Sequence, residues 1–140
     1  AIIESCDCLR LGLNAEDGAY IVPLNFAYVP GKPAKFYFHS AKEGRKVDMI
    51  GQGAKAGFEL DGAHRLGEAE TGCRHTFFYQ SVIGTGTVRP VETLEEKKRA
   101  LSAIMAHYRK DCAFSFTDEQ ADAVAVFCLT AETMSCKQHS

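Results

Sequence analysis

Apolar and polar residues alternate along the first part of the chain with the two-residue period of a strand. In Leu9-Arg-Leu-Gly-Leu13 the three leucines fall on one side, which predicts a strand with one buried face. Ala19 to Tyr28, rich in Val, Ile and aromatic residues, reads as a second strand. Pro23 inside it cannot donate to a ladder, so this strand is expected at an edge or a bulge. Between the two, Asn14 to Gly18 ends in Asp-Gly and reads as a hairpin turn. Pro30 to Pro33 is the next turn, and Lys35 to His39 the third strand. Ala56 to Leu60 gives a fourth strand, Phe77 to Val91 a long fifth bent at Gly84 and Gly86, and Ala123 to Thr130 a sixth. The polar, glycine-bearing stretch from Asp61 to Gly72 reads as a loop.

Helical spacing is confined to short pieces. Gly44 to Gly51 places Val47 and Ile50 three apart on one face, and Ala1 to Cys6 looks like the end of a helix. Thr93-Leu-Glu-Glu96 is a capping box, in which the Thr side chain accepts from the third helical N–H and the Glu reaches back. The helix it opens carries Leu101, Ile104, Met105 and Tyr108 on one stripe, with His107 expected at the surface. Thr117-Asp-Glu-Gln120 opens a shorter helix in the same way. Strands dominate and tight turns join several neighbours. This favours a mainly β (α+β) antiparallel barrel with peripheral helices over a parallel doubly wound sheet.

Composition narrows the function classes. A chain of 140 residues with 46% hydrophobic and 24% charged residues is expected to form a single domain, 1–140, around one core. A net charge of -2 argues against broad nucleic-acid binding. The longest apolar runs are too short to cross a bilayer. Six cysteines follow no regular framework, which points to reduced thiols and a cytoplasmic location. Cys6-Asp-Cys8 has no second close pair to complete a metal site.

The densest chemistry lies in Phe36-Tyr-Phe-His-Ser-Ala-Lys-Glu-Gly-Arg-Lys46. An aromatic strand ends in His39 and Ser40, a short turn carries Lys42, and Arg45 and Lys46 open a helix. Backbone N–H groups, a hydroxyl and cations converge there, the equipment for holding a phosphate. Cations in a first helical turn oppose the helix dipole. Either an anion compensates them or this is a solvated basic helix start. His39 sits at the same junction, with a side chain that can orient a ligand, relay a proton or serve as a structural hydrogen-bonding group.

In Ile21-Val-Pro-Leu-Asn-Phe26 the proline leaves a neighbouring carbonyl unpaired, and Asn25 offers both donor and acceptor, so the segment reads as a heterocycle-facing edge or as an ordinary edge strand. In Tyr79-Gln-Ser-Val-Ile-Gly-Thr-Gly86, Gln80 and Ser81 interrupt an apolar strand and face solvent or a ligand. Gly84-Thr-Gly86 is no dinucleotide fingerprint, because Arg89 stands where a third glycine is needed and no helix follows directly.

These segments, with Cys8-Leu-Arg-Leu-Gly-Leu13, resemble in order and over nearly the whole chain the split-barrel flavoproteins of the pyridoxamine 5'-phosphate oxidase-like superfamily. The chain is most similar to the nitroimidazole-resistance (Nim-type) branch, and His-Ser-Ala-x-x-Gly-Arg-Lys is the most specific element. The resemblance implies a six-stranded antiparallel split β-barrel with peripheral helices, paired into homodimers that bind FMN at the interface. Val22, Pro23, Leu24 and Asn25 would then lie along the isoalloxazine ring. His39, Ser40, Arg45 and Lys46 would hold the ribityl phosphate with help from Lys42, and Gln80 and Ser81 would approach from a neighbouring strand, of the same or the partner chain. Nim-like sequences often carry Arg where Gln80 stands. The implied activity is FMN-dependent reduction of a small electron-poor compound such as a 5-nitroimidazole, with His39 as the candidate catalytic residue. A pyridoxamine 5'-phosphate oxidase-like activity and a non-catalytic flavin- or haem-binding role are the alternatives.

Overall fold

In the computed structural model, which describes residues 2–139, seven strands form one antiparallel sheet. They are β1 (Leu9–Ala15), β2 (Gly18–Leu24), β3 (Ala27–Val29), β4 (Lys35–Ser40), β5 (Ala54–Gly67), β6 (Thr76–Pro90) and β7 (Ala125–His139). The helices are α1 (Arg45–Ile50), α2 (Leu94–Tyr108) and α3 (Asp118–Asp122). Both capping-box threonines act as expected. Thr93 accepts from Glu96 N–H and Thr117 from Gln120 N–H, and at Thr117 the Gln120 side chain also reaches back to complete the reciprocal pair. The N-terminal piece is a single 3-10 turn, Ile3–Ser5, rather than an α-helix.

The strand order β2-β1-β5-β6-β7-β4-β3 puts β2 and β3 at opposite edges. Yet only Asn25 and Phe26 separate them in the chain. Seven strands laid flat would set those edges about 29 Å apart at the usual strand spacing. Three Cα steps reach at most about 11 Å. The sheet must therefore curl until its edges nearly meet, which makes a barrel split along one seam. This explains why six expected strands become seven: the single strand expected over Ala19 to Tyr28 breaks at the seam and contributes to both edges.

Two further expectations change. Asp61 to Gly67 is not loop but the continuation of β5, paired with β6 through a bulge between Gly62 and Arg65, and a 3-10 turn, Gly72–Arg74, follows it. The last strand runs on past Thr130 to His139, with its own bulge opposite Thr85 and Gly86. These outer halves of β5, β6 and β7 form a three-stranded arm beyond the barrel.

The inward face of each strand fills the barrel. Leu9, Leu11, Phe36, Phe38, Leu60, Val82 and Leu129 are essentially inaccessible to solvent. Burying one such side chain contributes about 1.5–3 kcal/mol. Ile50 of α1 joins this cluster. A second cluster lies outside the barrel, where Ala100 and Leu101 of α2 and Ala121 of α3 cover Val126 and Cys128 of β7. The helices thus cover the β3-β4-β7 side. On the β2-β1-β5-β6 side, large apolar residues stay exposed, among them Ile21 at 64% and Ile83 at 58%. All six cysteines are free. No helix among the described residues is long and apolar enough to cross a membrane.

Candidate functional site

A cavity of about 230 Å³ opens where β4 hands over to α1. Its lining includes Ser40, Gly44, Arg45, Lys46 and Tyr20. Three of the expected phosphate ligands, Ser40, Arg45 and Lys46, are therefore brought together. Gly44, at φ 143°, turns the chain into α1 in a conformation that side-chain-bearing residues rarely adopt, and no side chain caps the helix. The Ser40 hydroxyl donates to the Ala41 carbonyl at 2.8 Å, so its lone pairs remain free to accept.

The three cations of the junction differ in surroundings. Lys42 faces Asp122 at 3.8 Å, away from the cavity. Arg45 meets Asp17 of the β1–β2 turn at 3.3 Å and lies over the Tyr20 ring at 4.4 Å. Both ion pairs are exposed, and such pairs contribute little stability. Lys46 is half-buried, has no acidic partner among the described residues, and has its pKa lowered by that burial. An ammonium in this state gains from any anion that enters the cavity. The set fits a phosphate: a guanidinium and an ammonium donate into one small space, beside a hydroxyl that can donate once its proton turns away from the Ala41 carbonyl.

His39 is one residue from Ser40, but strand alternation sends their side chains to opposite faces of β4. Ser40 shares the face of Phe36 and Phe38, and His39 that of Tyr37. Desolvation, and then the nearby Lys46 ammonium, push the His39 pKa below its ordinary value, so its imidazole is neutral at pH 7.

Val22, Pro23 and Leu24 lie on the edge strand β2, which agrees with the proline reading, and Asn25 follows it in the seam. Val22 and Leu24 turn their side chains into the barrel, opposite Leu11 and Leu9. What remains for a ligand is the free backbone edge together with the exposed Pro23 and Asn25. Gln80 and Ser81 lie on β6, separated from β2 by β5 and β1, and do not join the cavity. Ser81 pairs with Asp61 on one side and Lys137 on the other, and at 9% exposure it is nearly inaccessible.

Several site features escaped sequence reasoning. Tyr20 and Asp17 reach Arg45 from the hairpin, and Asp122 reaches Lys42 from α3. The hairpin turn marked Asp17 only as a turn residue, and nothing local signals these long-range partners. His107 is not a free surface residue. Its Nε2 lies 2.7 Å from the Cys6 carbonyl and its ring packs 4.4 Å from that of Phe26.

Comparison with known proteins places this architecture. The sequence pattern of the pyridoxamine 5'-phosphate oxidase family matches residues 1–138. A solved structure from Bacteroides thetaiotaomicron, described as a candidate 5-nitroimidazole antibiotic resistance protein, is 31% identical with a TM-score of 0.81; the match covers 96% of this chain and 78% of that one. The FAD and heme binding protein from Mycobacterium smegmatis is 15% identical with a TM-score of 0.81, covering 99% of this chain and 68% of that one. A Clostridium acetobutylicum protein related to general stress protein 26, of the pyridoxinephosphate oxidase family, is 16% identical with a TM-score of 0.64, covering 98% and 83%. These last two likenesses show the fold. A search of curated proteins finds no match. With the family pattern spanning nearly every residue, and the split barrel and its junction cavity in place, this chain belongs to the pyridoxamine 5'-phosphate oxidase family.

Proposed function

We propose that this protein is an FMN-dependent oxidoreductase of Nim type that reduces a small electron-poor compound such as a 5-nitroimidazole. The observation that carries this reading is the cavity lined by Ser40, Arg45 and Lys46, where a desolvated ammonium has no acidic partner among the described residues. The 31% identical candidate nitroimidazole-resistance protein supports the substrate class.

In this reading Arg45 and Lys46 hold the cofactor phosphate, with the Ser40 hydroxyl turning its proton from the Ala41 carbonyl to donate beside them. Lys42 adds positive potential from the turn. The free edge of β2, with Pro23 and Asn25, lies along the ring, while Val22 and Leu24 anchor that strand in the core. The flavin supplies electrons in pairs when bound, which avoids a nitro radical. His39 points to the face of β4 opposite Ser40 and does not line this cavity; neutral at pH 7, it acts through the neighbouring Lys46 or passes a proton.

The bare outer face of β2-β1-β5-β6 supports a homodimer, because exposed Ile21 and Ile83 mark a surface that a second copy would cover. Gln80, outside the cavity in one chain, then serves the partner's cleft, while the nearly inaccessible Ser81 supports the strand behind it.

Purification without added cofactor, followed by a visible spectrum and an FMN titration, tests the reading. Flavin bands or tight FMN uptake, and anaerobic loss of the nitroimidazole chromophore with pre-reduced protein, are expected. A colourless protein that takes up no FMN, or one showing a Soret band instead, overturns it.

A further inference from the structure

One hydroxyl ties together three segments that are distant in the chain. Tyr108, the last residue of α2, donates to the Asp7 carbonyl at 2.6 Å and accepts the Phe26 N–H at 3.2 Å. Beside it, His107 meets the Cys6 carbonyl and packs against the Phe26 ring. Phe26 lies in the seam, after β2 has ended and before β3 begins, so neither ladder includes it. Its side chain is completely buried. A buried N–H without a partner is costly, and here the partner is a side chain rather than a strand. Tyr108 thus fixes the backbone at the one place where the barrel is open.

We propose that Tyr108 is a positioning residue for the flavin ring: by holding Phe26 N–H it sets the direction of the adjoining Asn25 side chain and of the Leu24 backbone edge. The inference rests on the flavin reading above. Asn25 is exposed and can both donate and accept, which suits the amide-like edge of a flavin heterocycle. Such recognition works only if the backbone carrying it is held still, since an ordered site loses less entropy on binding. The phosphate cavity lies at the junction of β4 and α1 and shares no lining residue with this clamp. Ring and phosphate are therefore held by separate parts of the fold.

That separation supplies the test. Tyr108→Phe keeps the ring and removes the hydroxyl. It removes two hydrogen bonds, to Asp7 and from Phe26, and the loss at Phe26 should weaken FMN and riboflavin alike by about three- to tenfold, the worth of one neutral hydrogen bond. The absorption band of the bound flavin should shift toward that of free flavin, and the Phe26 amide should exchange faster. Lys46→Met should weaken FMN and leave riboflavin binding unchanged. In the wild-type protein, riboflavin should slow exchange at Phe26, which needs no variant to fold. Wild-type affinity and spectrum for both ligands in Tyr108→Phe, or unchanged Phe26 exchange on riboflavin binding, overturns the inference while the flavin reading stands. Wild-type protein that binds neither ligand overturns both.

Discussion

The ring of Phe58 occupies the space that a side chain on Gly84 would need. A Cβ built on Gly84 would sit 2.7 Å from Phe58 Cε1 and closer still to the Thr133 carbonyl oxygen. These two residues pair across β5 and β6, and both face the barrel interior. Gly86 is equally committed, since its Cβ would overlap Thr130 at the β7 bulge. The glycines of Gly84-Thr-Gly86 thus make room for a ring and a bulge, a packing reason for glycine at both positions.

Gly84→Ala should destabilise the fold by about 1–3 kcal/mol, the usual cost of forcing extra volume into a packed core. Denaturant unfolding monitored by circular dichroism checks this. Gly72→Ala, where an added Cβ meets nothing within 4 Å, should be nearly neutral in the same assay.

Lys46→Met should weaken FMN about 10- to 100-fold, as expected for one charge-assisted hydrogen bond. The same change should leave the cofactor-free protein as stable or more stable. Burial lowers the Lys46 pKa, so the folded state disfavours the ammonium that the unfolded chain carries freely. Fluorescence titration of flavin and thermal unfolding of the apoprotein read the two effects separately. Equal affinity in the variant sinks the phosphate assignment.

His39 should titrate below an ordinary histidine when followed by NMR. Lys46→Met should raise its pKa by removing the second cause of the depression. With the folded pKa below the unfolded one, His39 favours the native state above the unfolded imidazole value. That contribution is lost as pH drops from the ordinary imidazole value through the lower folded one. A stability profile of His39→Gln should lack this acid-side loss.

Tyr37 donates to Glu96 at 3.0 Å, and Arg89 reaches the same carboxylate oxygen at 3.2 Å. Desolvation first, and then that hydrogen bond, push the Tyr37 pKa up to about 12. The stabilisation is fully present below the unfolded tyrosine value near 10 and is lost as pH rises toward 12. Phenolate absorbance should show a late-ionising tyrosine that disappears in Tyr37→Phe.

Strands with a buried face were legible from the sequence because their alternation is dictated by the barrel interior. Leu9, Leu11 and Leu13 are the clearest case. The Thr117 capping box and the Thr93 half of the other were legible because those partners lie within one turn; Glu96 does not reach back, because Tyr37 and Arg89 take its carboxylate. The arm was legible only in β6, which falls within the strand expected from Phe77 to Val91. From Asp61 to Gly67 and from Glu132 to His139 the strands have no buried apolar face, and cross-strand hydrogen bonds hold them together with surface contacts such as Arg65 over Phe78 and Phe78 against His139. The seam at Asn25-Phe26 was hidden because its partner, Tyr108, is distant in sequence. The cation cluster was visible, but its division was not. Asp17 and Asp122 arrive from remote turns and leave Lys46 as the cation with no acidic partner among the described residues. The opposite facing of His39 and Ser40 follows from strand alternation alone, so that part of the site was readable in principle.

The pairing of β4 with β7 has a consequence for biosynthesis. Lys35 to Ser40 hydrogen-bond to Ala125 to Thr130, near the far end of the described chain. While the ribosome is still extending the polypeptide, Ser40 sits on a strand that lacks one of its two neighbours. The strand that carries Ser40 is therefore complete only once Ala125 to Thr130 have been made, and under the proposed flavin reading a nascent protein stalled before Ala125 should carry no yellow colour.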